Sequence, residues 1–504
     1  SEGSEGNLFN HAGYVINAGA EVHLQLNNKA DYMYEWRKTG AGDLYIDGQG
    51  DTNALLVLGG TGSTYLQQQG GHAAYNVLVG SGARVEIADK AQIVRDFTFG
   101  NGGGILDMNG NSMDWYTTGD TEGLFTINAL SEEAIISNSS GHVTLTYRQS
   151  GENTWLGSFQ DSATGSLRID YQGGGVLVLH GIHTDLTQRE GSGMTISNGR
   201  VVLAGTNTLH GKGSVNGMTG ERLFKENDWH YADAAMDVTV KSGAVFELGS
   251  HARLTGDVTV ESGGTYVMRE GVYSQYEYVE GGAFLEDTSI YSDYFGHKGN
   301  ISMAAGSELR IAYSGGTTAA ATFAGNITGA GDVSVNLSTS AARLILEGEN
   351  SFTGRKTLSS GGLVGVKKSS LGDTADHKWV LGDRAWIASH ADTAQELLDR
   401  VDGSSTGTLA LSADTEQKVD LSGHQNLYLG AEEGKTVNYG ALGTTETLEA
   451  VPQDAEGNYV WKLGGGGGTL NVNYQLSGNH DLLLGAASTS TGYVYLGNAA
   501  NDFT

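Results

Sequence analysis

The sequence predicts an all-β protein wound as a right-handed parallel β-helix, with a few protruding loops and one short helix. Three observations carry that prediction. Runs of alternating apolar and polar residues recur along nearly the whole chain, each bounded by Gly, Asn, Asp or Ser. Glycine occurs 78 times against a single proline, Pro452. No linker divides the 504 residues into domains of ordinary size.

The runs come first. AEVHLQL (20–26), ARVEIA (83–88), HVTLTY (142–147) and AVFEL (244–248) alternate with period two and carry β-branched and aromatic residues, the signature of strands that bury one face. Glycine then acts as punctuation. SGARVEIADKAQI from Ser81, SGAVFELGSHARL from Ser242, SGGTYVM from Ser262 and AGSELRIAYSGG from Ala305 each set a small turn before a strand, where a coil turns a corner and needs positive φ. Collagen is excluded because no Gly-X-Y period is present. A chain of this length exceeds one globular core, so a single core extended by repetition is the economical solution. At roughly 20–25 residues per coil it makes about 20 or more rungs, and at about 4.8 Å per rung a rod on the order of 100 Å long.

The expected organisation is β-helix over 1–219, β-helix with loop insertions over 220–300, and β-helix with a short helix over 301–504. Three segments break the rhythm as protrusions, two of them loops and the third a helix expected to cap or pack against the rod. One loop is GERLFKENDWHYADAAMD (220–237), with Trp229 and Tyr231; the other is 265–295, where Tyr266, Tyr273, Tyr276, Tyr278, Tyr291 and Tyr294 stand among Glu and Asp. The helix is expected near 392–402: Thr393 and Glu396 have capping-box spacing, Leu397, Leu398 and Val401 make an apolar face, and Gly403 can end it.

Charge narrows the partners. With 58 acidic and 29 basic residues the formal net charge is −29, which repels nucleic acid and anionic membrane surfaces. No apolar run reaches membrane-span length, and the first residues, SEGSEGNLFN, lack the basic and apolar regions of a signal peptide. The last residues lack the strands and aromatic girdle of an outer-membrane barrel. The chain therefore reads as an excised middle portion, with membrane contact only through a translocation barrel outside it. Cysteine is absent, which fits a reducing compartment or a secretion route requiring an unlinked chain.

Several phrases carry a resemblance. TFGNGGGILDMNGNSMDW (98–115), preceded by GGTGSTYLQQQGG (59–71), resembles the passenger stalk of IgA-protease-type serine protease autotransporters. TGAGDLYIDG (39–48) and LILEGENSFTGRKTLSSGGLVGV (344–366) resemble passenger-associated β-strand repeats, and the closing GNAANDFT looks like the start of another copy. The resemblance implies a β-helical passenger exported across the outer membrane of a Gram-negative bacterium to the cell surface or medium, as a virulence-associated scaffold or adhesin. It implies cysteine poverty too, since the chain is threaded unfolded through a pore. The family's GDSGS nucleophile motif and trypsin-like domain do not occur here. The alternative is thus the stalk of a secreted serine endopeptidase whose catalytic domain precedes Ser1, and a second alternative is a glycan-cleaving β-helix.

Candidate chemistry is sparse, and no catalytic residue, cofactor or metal is expected within the chain. No Ser stands in G-x-S-x-G. Asp107, Asn109 and Asn111 of LDMNGN have the oxygen spacing that opens a calcium loop, without the glutamate that closes one; turn chemistry is the simpler expectation. Asp47 and Asp51 of DGQGD flank a glycine turn, and Glu132 and Glu133, read as strand neighbours, face opposite ways. The histidines, among them His11, His23, His72, His142, His180 and His183, show no zinc spacing. The expected ligand-binding residues are Tyr266, Tyr273, Tyr276, Tyr278, Tyr291, Tyr294, Trp229 and Tyr231, because tyrosine gives rigid contact area at small entropic cost. Their expected partner is a host-surface protein or glycan, or a neighbouring cell through self-association.

Overall fold

The structure, a computed structural model, describes residues 11–25, 34–88, 92–116, 126–148, 151–180, 184–186, 190–207, 229–230, 232–249, 252–269, 276–279, 283–286, 296–313, 320–337, 339–452, 458–485 and 492–503. It is nearly all β, 2% helical, with parallel coils stacked into a β-solenoid of about 16 turns. That is fewer than the expected 20 or more, because some register partners lie well over 25 residues apart. Thr184–Leu186, for example, pairs with Ala232–Met236, almost fifty positions on. Among the described residues no helix is long and apolar enough to cross a membrane.

Two units are distinguished, 1–247 with 251–257, and 248–250 with 258–504. In the first, alternation does what the sequence predicts. Ala54–Leu58 buries Ala54, Leu56 and Leu58 and half-exposes Leu55 and Val57. Parallel pairing keeps like faces together: Leu44, Thr64, Val85, Leu106, Ile136 and Phe159 follow one another in register along an inward column, all essentially inaccessible. Each fully buried Leu or Ile there contributes about 2 kcal/mol. The corner glycines stack as well. Gly40 (φ 89°) lies beneath Gly60 (φ 83°), and a Cβ on Gly60 would overlap the Gly40 backbone. The inside of the later coils is aromatic: Trp155 stacks on Phe159 at 5.5 Å and meets Phe99 edge-on at 6.0 Å.

The corners also solve a hydrogen-bonding problem. Where a coil bends, a backbone N–H loses its ladder partner, and a side chain from a neighbouring coil replaces it. In the first unit Asn138, wholly buried, accepts from Gly110 N at 2.8 Å and donates to the carbonyls of Ser140, Gly141 and Ser166 at 2.8–3.0 Å. In the second unit Asn326 N donates to Asn300 at 3.1 Å, Glu349 N to Asn326 at 2.8 Å, Ile327 N to Asn350 at 2.7 Å and Arg355 N to Asp332 at 2.9 Å.

The second unit continues the parallel pattern in Val258–Val260, Ile301–Met303, Ile327–Gly329 and Ser351–Phe352. In Lys356–Gly365 and Trp379–Ser389 it departs from one-sided burial. Leu363 and Ile387 face one side and Val364, Trp386 and Ala388 the other, and all are buried; Ala410 and the half-buried Ile345 complete the second cluster. The helix is Ala394–Asp399, with both halves of the capping box made between Thr393 and Glu396, and Leu397 and Leu398 buried. It ends at Arg400, before Gly403, where the backbone stays helical, the Arg400 N–H donates to the Leu397 carbonyl and the Val401 N–H to that of Leu398.

Candidate interaction surface

Four of the expected binding residues, Tyr266, Tyr276, Tyr278 and Trp229, lie on described strands. Tyr266 belongs to a coil strand, Thr265–Arg269, whose alternation turns Tyr266 and Met268 inward. It is fully buried, its hydroxyl 3.2 Å from His297 Nδ1, and burial pushes its pKa well up. Tyr266 is therefore a core residue and not part of an outer contact surface. Tyr276 and Tyr278 lie on Tyr276–Val279, which pairs antiparallel with Ala283–Glu286, a local hairpin off the parallel pattern. Trp229 lies on Trp229–His230, antiparallel to Thr206–Asn207. Tyr231, Tyr273, Tyr291 and Tyr294 lie outside the described residues. Within the two loop segments expected as protrusions, Ala232–Met236 and Thr265–Arg269 are both coil strands.

The other candidates resolve into structure. Asp107 is inaccessible; it accepts from Asn109 N and Ser139 N, both at 2.9 Å, and from the Arg84 guanidinium. Its oxygens thus serve the LDMNGN turn, in which Asn109 takes a positive φ of 44°. Asp47 pairs with His23 at 2.6 Å and Asp51 with His72 at 2.9 Å. Glu132 and Glu133 occupy the turn before Ala134–Asn138 and are not strand neighbours, which corrects the reading of them as a strand pair. His180 Nδ1 lies 2.7 Å from the Ala204 carbonyl, and burial lowers its pKa. His142 lies against Ser166. Among the described residues no cluster of three or more His, Asp or Glu could hold a metal ion.

Stacking brings together a set that linear reading missed. His23, Tyr45, Tyr65, Glu86 and Asp107 are consecutive register partners on the outward side of one parallel ladder. The rings form a column: His23 to Tyr45 at 4.5 Å and 8° between planes, Tyr45 to Tyr65 at 4.5 Å and 10°. That spacing is the strand spacing itself, so the ring faces cover one another. A second outward column beside it holds Glu21, Asp43, Ser63 and Arg84. The Tyr45 hydroxyl is pushed above its usual pKa by desolvation first, then by the charges of Glu21 and Asp43. Glu86 is raised by burial first and then by the charge of Asp107, with Arg84 opposing. The one available sequence signal was spacing: Tyr45 and Tyr65 hold the third position of Asp43–Ile46 and Ser63–Leu66.

The chain matches no protein-family model and no curated protein.

Proposed function

We propose that this chain is an exported structural stalk, the passenger of an autotransporter, which works at the cell surface as a scaffold and adhesin for host or neighbouring-cell ligands. The observation that carries the reading is the parallel stacking of coil on coil. Register partners such as Leu44 and Thr64, Val143 and Leu167, or Val333 and Lys356 lie little more than twenty residues apart, so each coil needs only its predecessor as a template. A chain emerging from a pore from one end can fold coil by coil on that plan, without long-range closure and, with no cysteine, without oxidation. The resemblance of 59–71, 98–115 and 344–366 to passenger stalks and strand repeats supports the same reading.

The test is display. Fused between a secretion signal and an outer-membrane translocation barrel, the chain is expected on intact Gram-negative cells, accessible to added protease and supporting attachment to host-cell monolayers. Replacing Tyr276 and Tyr278 by Ala should reduce attachment while leaving far-ultraviolet circular dichroism unchanged. Retention in the periplasm would refute the stalk reading, and attachment equal to that of cells displaying an unrelated passenger would refute the adhesive part.

A further inference from the structure

We propose that the outward strip built from His23, Tyr45, Tyr65 and Glu86, flanked by Glu21, Asp43 and Asp47, docks a cationic peptide segment rich in arginine. This deepens the adhesin reading, and rests on it for the partner being a protein on another cell.

The choice of occupant follows from how the rings are held. A sugar binds an aromatic side chain through the ring face, and here both faces of Tyr45 are covered, one by His23 and the other by Tyr65, at 4.5 Å each. What the strip offers outward is its rim. The rim carries phenolic oxygens and carboxylates, groups that accept hydrogen bonds and carry negative charge. Asp43 still has capacity to accept, since one oxygen takes Ser63 N at 2.8 Å and a carboxylate has two oxygens. The nearby basic side chains are already engaged: Arg84 bonds the buried Asp107, and His23 bonds Asp47 at 2.6 Å.

A guanidinium is the complement. It presents several N–H donors in a flat fork that matches carboxylates and can also donate to phenolic oxygens, and it is more weakly hydrated than an ammonium. The ladder spacing also repeats the acceptors at about 4.8 Å, so an extended segment with several arginines can engage more than one coil.

The experiment uses the purified chain and a fluorescein-labelled hexa-arginine peptide, followed by anisotropy at about 0.15 M salt, where long-range attraction to an acidic protein is largely screened. A Glu21→Gln/Asp43→Asn variant should bind about tenfold more weakly. A control with the same loss of charge elsewhere, Glu261→Gln/Glu449→Gln, should change affinity less than about twofold. Tyr45→Phe/Tyr65→Phe keeps the stack while removing the hydroxyls, and should weaken binding a few-fold. Equal losses in the strip and control variants would mean general attraction to net charge and would overturn the proposal. So would absence of binding, or binding of a neutral oligosaccharide that Tyr45→Ala abolishes. Because the assay needs no export, a negative result overturns the docking strip and leaves the stalk reading standing, whereas failure of surface display does the reverse.

Discussion

Lys356 is a cation placed where the fold wants an apolar side chain, and its removal should change how stability depends on pH. It stands between Val333 and Trp379 in an inward column of the second unit, 1% exposed. Its ammonium donates to the carbonyls of Gly354 at 2.9 Å and His377 at 3.0 Å and lies 5.3 Å from the Phe352 ring. Burial drags its pKa from 10.5 down to about 8, against the pull of Asp373, Asp376 and Asp332. The folded value is thus below the unfolded one. Below about pH 8 both states are protonated and the cost of burying the charge is felt in full. Between about 8 and 10.5 the unfolded chain binds the extra proton, so stability rises with pH, and above 10.5 the cost is gone. At about 1.4 kcal/mol per pH unit that interval is worth at most about 3–4 kcal/mol. In urea unfolding followed by circular dichroism, the stability of the wild type minus that of Lys356→Met should therefore climb by about 2–3 kcal/mol from pH 7.5 to pH 10.5. Subtracting the variant removes the titration of every other group. A flat difference, or one that falls as pH rises, would refute the reasoning.

Two further substitutions test the corners. Asn138→Ala strips hydrogen bonds from Gly110 N and from the carbonyls of Ser140, Gly141 and Ser166 inside the fold, and should cost about 3 kcal/mol or more in the same urea assay; a loss below about 1 kcal/mol would mean that water takes over the corner. Gly60→Ala and Gly50→Ala form a matched pair, because both glycines have positive φ, 83° and 86°, but only at Gly60 does the added methyl meet the Gly40 backbone. Gly50→Ala should cost about 1 kcal/mol from φ alone and Gly60→Ala clearly more, and equal thermal shifts would show that coil-to-coil contact at this corner is not tight.

How much of this was legible depended on whether the information was local. The strand Arg84–Ile87 and the capped helix could be read because the alternation or the cap lies within a few residues, and the structure has both. Tyr266 was misplaced because the acidic, tyrosine-rich composition of 265–295 outweighed the alternation of TYVMR, which by itself turns Tyr266 inward. The helix end was misplaced for a similar reason: Gly403 is a ready terminator, yet Arg400 stops the helix three residues sooner, with its guanidinium held by Asp392 and by the carbonyls of Lys368 and Gly372. The column from His23 to Glu86 was not legible because its members lie about twenty residues apart and coil lengths vary. Register, not sequence, makes them neighbours.

The same distinction says where function can reside in such a molecule. Inward positions are constrained by both neighbouring coils, so an inward polar group such as Lys356 or Asn138 has its hydrogen-bonding capacity spent on backbone. Corner Asx residues are committed in the same way, each to an N–H of a neighbouring coil. Outward strand positions carry neither obligation: a residue there meets only its register partners and solvent, so a few substitutions on successive coils can write a new column without disturbing the core. His23, Tyr45 and Tyr65 are such a column. A binding surface on a solenoid is therefore assembled across coils at the strand spacing. The search for binding surfaces in this chain extends along outward register, where aromatic and acidic residues gather, as well as along contiguous stretches such as 265–295.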